Sequence, residues 1–494
     1  MMRATRSPRR AATVSAARTA TDPGAAFWMI FQDVSQPGPP ARTPFGVADE
    51  LSCYYDARAE PCTVHIEIRV PGRLDRSRLA RAAGAALAGQ PRAMVRRAAG
   101  GWWRRGYSWE VPGQPDADPL SAATWSDEAE LGRLRARFLS VTPPLDSSPP
   151  LRILLASGPG EDRVILSAHH AALDGLSCLE LLRSIAGHYA DAPEPAPPAA
   201  SSPEARSPEA PAPETPLAVT RLPGAVAPPE VSGADPARSV GLSVLPKPAA
   251  RIAADRQDDP ERGGAGYGFV LEPGQHVADI RQAARQFGVT VNDLLIAALI
   301  AAIGRWNAGH GRPAGRIRIT MPVNARRDDQ DGATGNLSRL TTVTAMASAE
   351  DPDLGALVAS VAEQTRAAKD HIGPQVDPVS RALATAWCPV AVKRGLLRLG
   401  LRTAGPLVCD TSLVSNLGIV ADPPRFAGLA ATDMWFSTSA HMPRGLSVGV
   451  VTAGGKLHLC FRYRRALFSY AAAVRFAHAY TAALGDITNP GRQS

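Results

Sequence analysis

Hydrophobic and polar positions alternate with period two from Cys62 to Val70: Cys62, Val64, Ile66, Ile68 and Val70 are apolar, while Thr63, His65, Glu67 and Arg69 are polar. The alternation predicts a strand with one buried and one solvated face. From Leu74-Asp75 the period becomes helical, with Leu79, Ala83 and Leu87 on one side. Two strand-like segments flank Gly100-Gly101, and two more, Leu151 to Ala156 and Val164 to Ala168, flank the turn Gly158-Pro159-Gly160. After Gly175 the residues Leu179, Leu182, Ile185 and Tyr189 mark another helix. Further on, a strand is expected near Tyr267 to Leu271, and Thr290-x-x-Asp293 reads as a capping box opening the apolar helix Leu294 to Trp306. Strands at Arg316 to Met321 and Leu340 to Met346 follow, then a helix through Leu354, Leu357, Val361 and Thr365. Strands at Thr411 to Ser415, Leu446 to Val451 and Lys456 to Tyr463 precede a final Ala-rich helix. Strands and helices mix without a regular βαβ beat, so the fold class is α/β of the mixed α+β kind, in two lobes.

Composition sharpens the division of the chain. Of 494 residues, 45% are hydrophobic and 20% charged, which is globular, but 45 are Pro. From Asp191 to about Gly264, Pro, Ala, Glu and Ser dominate, and such a segment cannot bury a core. The expected organisation is a basic, disordered tail (1–42), a first lobe (43–190), a Pro/Ala-rich linker (191–265), a second lobe (266–486) and a short tail (487–494). About half of the net charge of +8 lies in the first thirty residues, on Arg3, Arg6, Arg9, Arg10 and Arg18, so the body is only mildly basic. Six scattered cysteines without a C-x-x-C pair argue against a zinc module or a disulfide scaffold and for a reducing, cytoplasmic setting. The longest apolar run, Leu294 to Ile303, is about half of what a bilayer requires.

Chemistry concentrates in His169-His170-Ala171-Ala172-Leu173-Asp174-Gly175, where a strand ends and a helix begins. A neutral imidazole near pH 7 can take a proton from a hydroxyl or an amine. Asp174 follows at the helix start, and Gly175 is expected to permit the tight turn there. The alternatives are core histidines beside a capping Asp, or metal ligands, which adjacent residues on a strand serve poorly.

This cluster resembles the HHxxxDG signature of the thioester-dependent acyltransferase superfamily, which includes nonribosomal peptide condensation domains, chloramphenicol acetyltransferase, polyketide-associated acyltransferases and the wax ester synthase/diacylglycerol acyltransferases. Supporting segments stand in the family's order: Pro144-Leu145-Asp146 through Pro150-Leu151-Arg152, Thr290-Val291-Asn292-Asp293, Met321-Pro322-Val323-Asn324-Ala325-Arg326 through Gly335-Asn336, and Ser415-Asn416-Leu417-Gly418. The resemblance implies two chloramphenicol-acetyltransferase-like lobes forming a pseudo-dimer with a tunnel between them. It implies His170 as the general base facing that tunnel, His169 beside it, and Asp174 in a structural ion pair for which Arg326 is the expected partner. Asn416 or a backbone N–H is the expected oxyanion donor. No tightly bound cofactor is expected; the co-substrate would be an acyl-CoA or a phosphopantetheinyl carrier thioester, and the partners a small-molecule acceptor and an acyl or peptidyl carrier protein. The DFGxG segment of peptide condensation domains is not recognisable in "RFAGLAATDMWFSTSAHMPRGLSVGV", which favours a stand-alone acyltransferase.

Three other features compete for attention. Gly445-Leu446-Ser447-Val448-Gly449 fits G-x-S-x-G, but its alternation is that of a strand rather than of a nucleophile elbow. Arg96, Arg97, Trp102, Trp103, Arg104, Arg105 and Trp109 read as an exposed hairpin face, with phosphate docking as the alternative and no nucleic-acid motif in support. Arg394, Arg398 and Arg402 beside Leu396, Leu397, Leu399 and Leu401 read as a solvated basic face over a core, or as a contact for an acidic carrier or a membrane surface. Within the acyltransferase class the alternative is a lipid O-acyltransferase of the wax ester/diacylglycerol type. Outside it stand a catalytically silent condensation-like binding protein and a thioesterase.

Overall fold

The fold is that of a computed structural model, which describes residues 42–57, 60–101, 103–192, 248–255, 266–324, 338–347, 353–370, 387–403 and 409–489. Trp102, Arg326, the tail before Arg42 and most of the Pro/Ala-rich segment lie outside the described residues. The first half of the chain runs β1 (Arg42–Pro44), α1 (Val47–Tyr55), β2 (Thr63–Pro71), α2 (Arg76–Ala88), β3 (Arg96–Arg97), β4 (Ser108–Glu110), β5 (Leu120–Thr124), α3 (Glu128–Leu139), β6 (Leu151–Ser157), β7 (Glu161–His169) and α4 (Gly175–Asp191). The second half runs β8 (Tyr267–His276), α5 (Val277–Phe287), α6 (Val291–Gly309), β9 (Gly315–Asn324), β10 (Ser338–Ala347), α7 (Leu354–Asp370), α8 (Val390–Thr403), β11 (Ser412–Val420), β12 (Arg425–Phe426), β13 (Leu429–Ala430), β14 (Asp433–Ser437), β15 (Leu446–Ala453), β16 (Lys456–Arg464) and α9 (Tyr470–Thr488).

Two large sheets carry the structure, ordered β14-β2-β7-β6-β5 and β10-β9-β11-β15-β16-β8. The expected break at the linker is not the break between the sheets. β14 leaves the second half of the chain and pairs antiparallel with β2, from Asp433 opposite Arg69 to Ser437 opposite His65. Gly449 on β15 makes this crossing possible, because a Cβ there would overlap the Phe436 carbonyl. Two tail boundaries also move: Arg42 is already paired with Glu110, and α9 runs to Thr488 with Ile487 buried.

Helices α2 and α4 share the first core with β2, β6 and β7, through residues such as Leu79, Leu182, Ile66 and Leu166. Helices α5, α6 and α9 pack on the second sheet through Ile280, Leu299, Phe476, Val450 and Phe461. Helix α6 opens with the capping box read from the sequence, Thr290 and Asp293 bonding each other's backbone N–H groups. At 19 residues α6 is longer than its apolar run, and by length and composition it is able to cross a bilayer; here it is mostly buried inside the second core. A third core joins the halves, with Leu131 and Phe138 of α3, Tyr267 and Phe269 of β8, Trp435 of β14 and Cys460 of β16.

This junction overturns the expectation of a half-solvated β2. Thr63, His65 and Glu67 are as buried as Val64, Ile66 and Ile68, because α3 and the second sheet cover the polar face. Glu67 survives there by pairing with Arg135, which donates from Nε at 2.6 Å and from Nη2 at 2.7 Å. His65 Nδ1 lies 2.9 Å from the Ser437 hydroxyl. A buried carboxylate is tolerable only when so paired.

The linker expectation of 191–265 is corrected at its end. Ile252 and Ala253 belong to the second core. The Ala253 N–H donates to Asn307 Oδ1 at 2.8 Å, the Trp306 indole donates to the Ala253 carbonyl at 2.9 Å, and Asp255 accepts from the Ser469 hydroxyl at 2.9 Å. Deleting residues 197–232 is expected to leave the melting temperature nearly unchanged, since the composition of that stretch, rich in Pro, Ala, Glu and Ser, is that of a linker. Extending the deletion through 255 removes a buried Ile and strands these polar groups, at a cost of ~3 kcal/mol or more. Equal thermal melts for the two deletions would contradict the docking of 248–255.

Candidate active site

β7 ends at His169, opposite Thr63 of β2, and the His170 N–H makes the last cross-strand bond, to the Cys62 carbonyl at 2.9 Å. The chain then turns, with the Ala172 and Leu173 N–H groups donating to the His169 carbonyl at 2.9 and 3.2 Å. This turn gives the two histidines different environments. His169 is buried, its Nδ1 accepts the Ala171 N–H at 3.1 Å, and its Nε2 lies 3.9 Å from Asp56 Oδ2. Burial pushes its pKa down to about 4, against the pull of Asp56, so this imidazole is neutral and committed to holding the turn. His170 is half-buried as a residue, with its backbone pinned and its ring Nδ1 buried. Burial lowers its pKa from the ordinary 6.5, while the Asp174 carboxylate and the backbone at His170 and Leu173 pull the other way. A neutral imidazole of this kind is competent as a base.

Asp174 caps α4, accepting the Ser177 N–H at 2.9 Å and the Ser177 hydroxyl at 2.8 Å on Oδ1. The capping role weighed from the sequence is thus present, while Arg326, the expected ion-pair partner, lies outside the described residues. Gly175 needs a correction. Its φ is not in the positive region, and a tight turn is not what requires glycine. A Cβ here would press into the Phe436 ring and the Leu417 side chain, so the residue lets β14 and β11 close onto the start of α4.

That closure brings a second family segment to the site. Asn416 sits at the irregularity of β11, where pairing with β15 shifts register before Ile419. Its Nδ2 donates to Asn292 Oδ1 at 2.8 Å, and its Oδ1 accepts the Gly418 N–H at 2.8 Å. The two segments Thr290 to Asp293 and Ser415 to Gly418, more than a hundred residues apart in the sequence, therefore meet through their asparagines.

No family profile matches the chain. The uncharacterized protein Rv2305 of Mycobacterium tuberculosis is 33% identical over 453 residues, covering 87% of this chain and 96% of that protein. The first condensation domain of the CDA synthetase superposes with a TM-score of 0.59 at 16% identity, over 91% of this chain and 96% of that one. The wax ester synthase/diacylglycerol acyltransferase of Marinobacter aquaeolei VT8 does so with a TM-score of 0.53 at 13% identity, over 90% and 98%. The chain belongs to the same family as Rv2305, and its fold is that of the condensation domains and the wax ester synthase/diacylglycerol acyltransferases. Its two sheets with their helices are the two chloramphenicol-acetyltransferase-like lobes of that fold.

One residue behind the His169 to Gly175 cluster carries no signal in the sequence. Arg462 of β16 is fully buried, and no carboxylate among the described residues pairs with it. Its Nη1 donates to the Thr63 carbonyl at 2.9 Å, and its Nη2 to the Pro61 carbonyl at 3.1 Å and the Thr63 hydroxyl at 3.0 Å. The guanidinium lies over the Tyr267 ring, 4.0 Å from its centroid. It clamps the two residues flanking Cys62, whose carbonyl holds the His170 N–H, and it adds to the lowering of the His170 pKa. An arginine at a polar position of an alternating strand reads as solvated, so only the second sheet packed behind β2 reveals this role.

Because the His170 pKa is lowered, the base form persists below pH 6.5 and is lost as pH falls through the lowered value. The acid limb of kcat/KM is expected below 6.5. A limb at or above that value, measured from pH–rate profiles, would contradict this environment for His170.

The competing features resolve differently. Ser447 is buried in β15 with its hydroxyl donating to the Thr438 carbonyl at 2.7 Å, so it is no nucleophile elbow. The Arg/Trp hairpin is not an exposed face along its length. Arg96 is tied to Glu110 at 2.8 Å and Asp116 at 2.7 Å, Trp109 is buried with its indole donating to Asp49 at 3.0 Å, and Arg97 and Arg104 stack over Tyr107. Trp103 and Arg105 remain exposed.

Proposed function

We propose that the protein transfers an acyl group from a thioester, either acyl-CoA or a phosphopantetheinyl carrier, to the hydroxyl or amine of a small acceptor. The observation that carries this reading is the contrast between the histidines: His169 is buried with its Nδ1 held by the Ala171 N–H, while His170, at the end of the same strand, is less buried as a residue and has its pKa lowered toward the neutral form. As the acceptor attacks the thioester carbonyl, His170 takes the acceptor's proton, and a new C–O or C–N bond forms. The tetrahedral oxyanion collapses with cleavage of the C–S bond, and the thiolate leaves and takes up the proton held on the imidazole. Asn416 is the side-chain candidate for the oxyanion; one Nδ2 proton serves Asn292, which leaves the second. Holding both reactants beside the base supplies much of the rate, with general base catalysis adding ~10²–10⁴-fold.

The test is product identity. Wild-type protein is incubated with short- to long-chain acyl-CoA and with pantetheine thioesters, together with pooled alcohols and amines, and the products are read by mass spectrometry. An ester or amide supports transfer and names the chain length and the acceptor class. Free acid alone would replace this reading by thioester hydrolysis, and no turnover of either donor would favour a binding protein.

A further inference from the structure

Helix α8 departs from its sequence expectation in its leucines. Arg398 is exposed as expected and Leu397 packs on the first core, but Leu396 and Leu399 face outward as well. Lys393, which the expectation did not include, is buried, donating to the Arg105 carbonyl at 3.1 Å and lying 3.8 Å from Glu50 Oε2. Val390 and Leu397 join the first core, and the Val390 N–H docks on the Arg104 carbonyl at 2.9 Å. The outward side carries Val392, Leu396 and Leu399, which are 48%, 62% and 57% exposed. Trp387 just before the helix and Trp103 on the hairpin beneath it are 77% and 64% exposed.

Exposed apolar side chains at i, i+4 and i+7 on one helix, with an exposed tryptophan just before it and another in the hairpin that docks on it, are surface that water alone does not favour. The surrounding charge selects its occupant. From Trp387 to Thr403 there is no Asp or Glu but Lys393, Arg394, Arg398 and Arg402, and from Arg96 to Arg105 there is none but Arg96, Arg97, Arg104 and Arg105. A second copy docking through the same face would set cation against cation. Aromatic and aliphatic side chains rimmed by arginines suit the headgroup region of an anionic bilayer, where indoles settle and guanidinium groups meet lipid phosphate. We infer that α8 and the Trp103 turn form a peripheral docking face for anionic lipid membranes. This face is independent of the acyl-transfer reading, because it is read by binding and not by turnover.

Flotation of the full chain with vesicles tests it. Wild type is expected to float with equal parts phosphatidylcholine and phosphatidylglycerol and to stay behind with phosphatidylcholine alone, with binding weakened by salt. The Arg-rich first thirty residues also attract anionic lipid, so the deciding arm leaves charge untouched. Leu396→Ser with Leu399→Ser is expected to weaken binding at least about tenfold per leucine at unchanged melting temperature. Arg398→Ala is expected to weaken it about fivefold. Tryptophan emission shifts to the blue on vesicle binding if Trp103 and Trp387 enter the interface. Undiminished flotation of the double leucine variant would overturn the proposal, as would a dimer in sedimentation that this variant dissociates.

Discussion

Replacing Arg135 with Met is expected to cost about 3–5 kcal/mol of folding stability, because it leaves the Glu67 carboxylate buried without its bidentate partner. On a total of roughly 5–15 kcal/mol that is a large fraction, and urea denaturation measures it. The double variant Arg135→Met with Glu67→Leu is expected to recover most of the loss, since removing both charges removes the desolvation cost as well. Burial alone would push the Glu67 carboxyl up, and Arg135 together with His65 overrides it, holding the group well below the ordinary 4.5. A depressed folded pKa gives stability that is fully present above the unfolded value and lost as pH falls through the folded one. Wild type should therefore lose stability in the acid range below 4.5, and the double variant should lose less there. A single variant as stable as wild type would contradict the pairing.

His170→Gln is the second large effect, in rate rather than in stability. The backbone of His170 is held by the Cys62 carbonyl and glutamine is close to histidine in size, so the substitution should fit with little change in melting temperature. Loss of the base should lower kcat and kcat/KM alike by ~10²–10⁴-fold, the signature of an interaction made in the transition state. His169→Gln should behave differently. The Nδ1 that accepts the Ala171 N–H and holds the turn would be gone, so stability should fall along with activity.

Local periodicity made the elements legible: the capping box at Thr290, the hairpin around Gly158 to Gly160, and the helix from Gly175 are all where the hydrophobic pattern puts them. The HHxxxDG cluster and the Asn292 and Asn416 segments were legible as ordered motifs, and the structure brings the two asparagines together. What was not legible depends on contacts distant in the chain. β14 joins the first sheet because Gly449 admits its backbone, and no local pattern announces such a crossing. Polar residues of β2 read as solvated because period two reports one covered face, whereas Glu67 is covered by the other sheet and by α3, and Arg462 of β16 is buried against Thr63 and Tyr267 from across the junction. Segment 248–255 shares the composition of the Pro-rich stretch before it, yet Ile252 and Ala253 find a place against α6.

The central claim is that His170 drives acyl transfer from a thioester to an acceptor. It is tested most directly by following free thiol and acylated acceptor together, for wild type and His170→Gln, with and without acceptor. The account predicts thiol release that requires acceptor, matches the acylated product mole for mole, and falls ~10²–10⁴-fold in the variant. Thiol release that proceeds equally in His170→Gln, or without any acceptor, would contradict it.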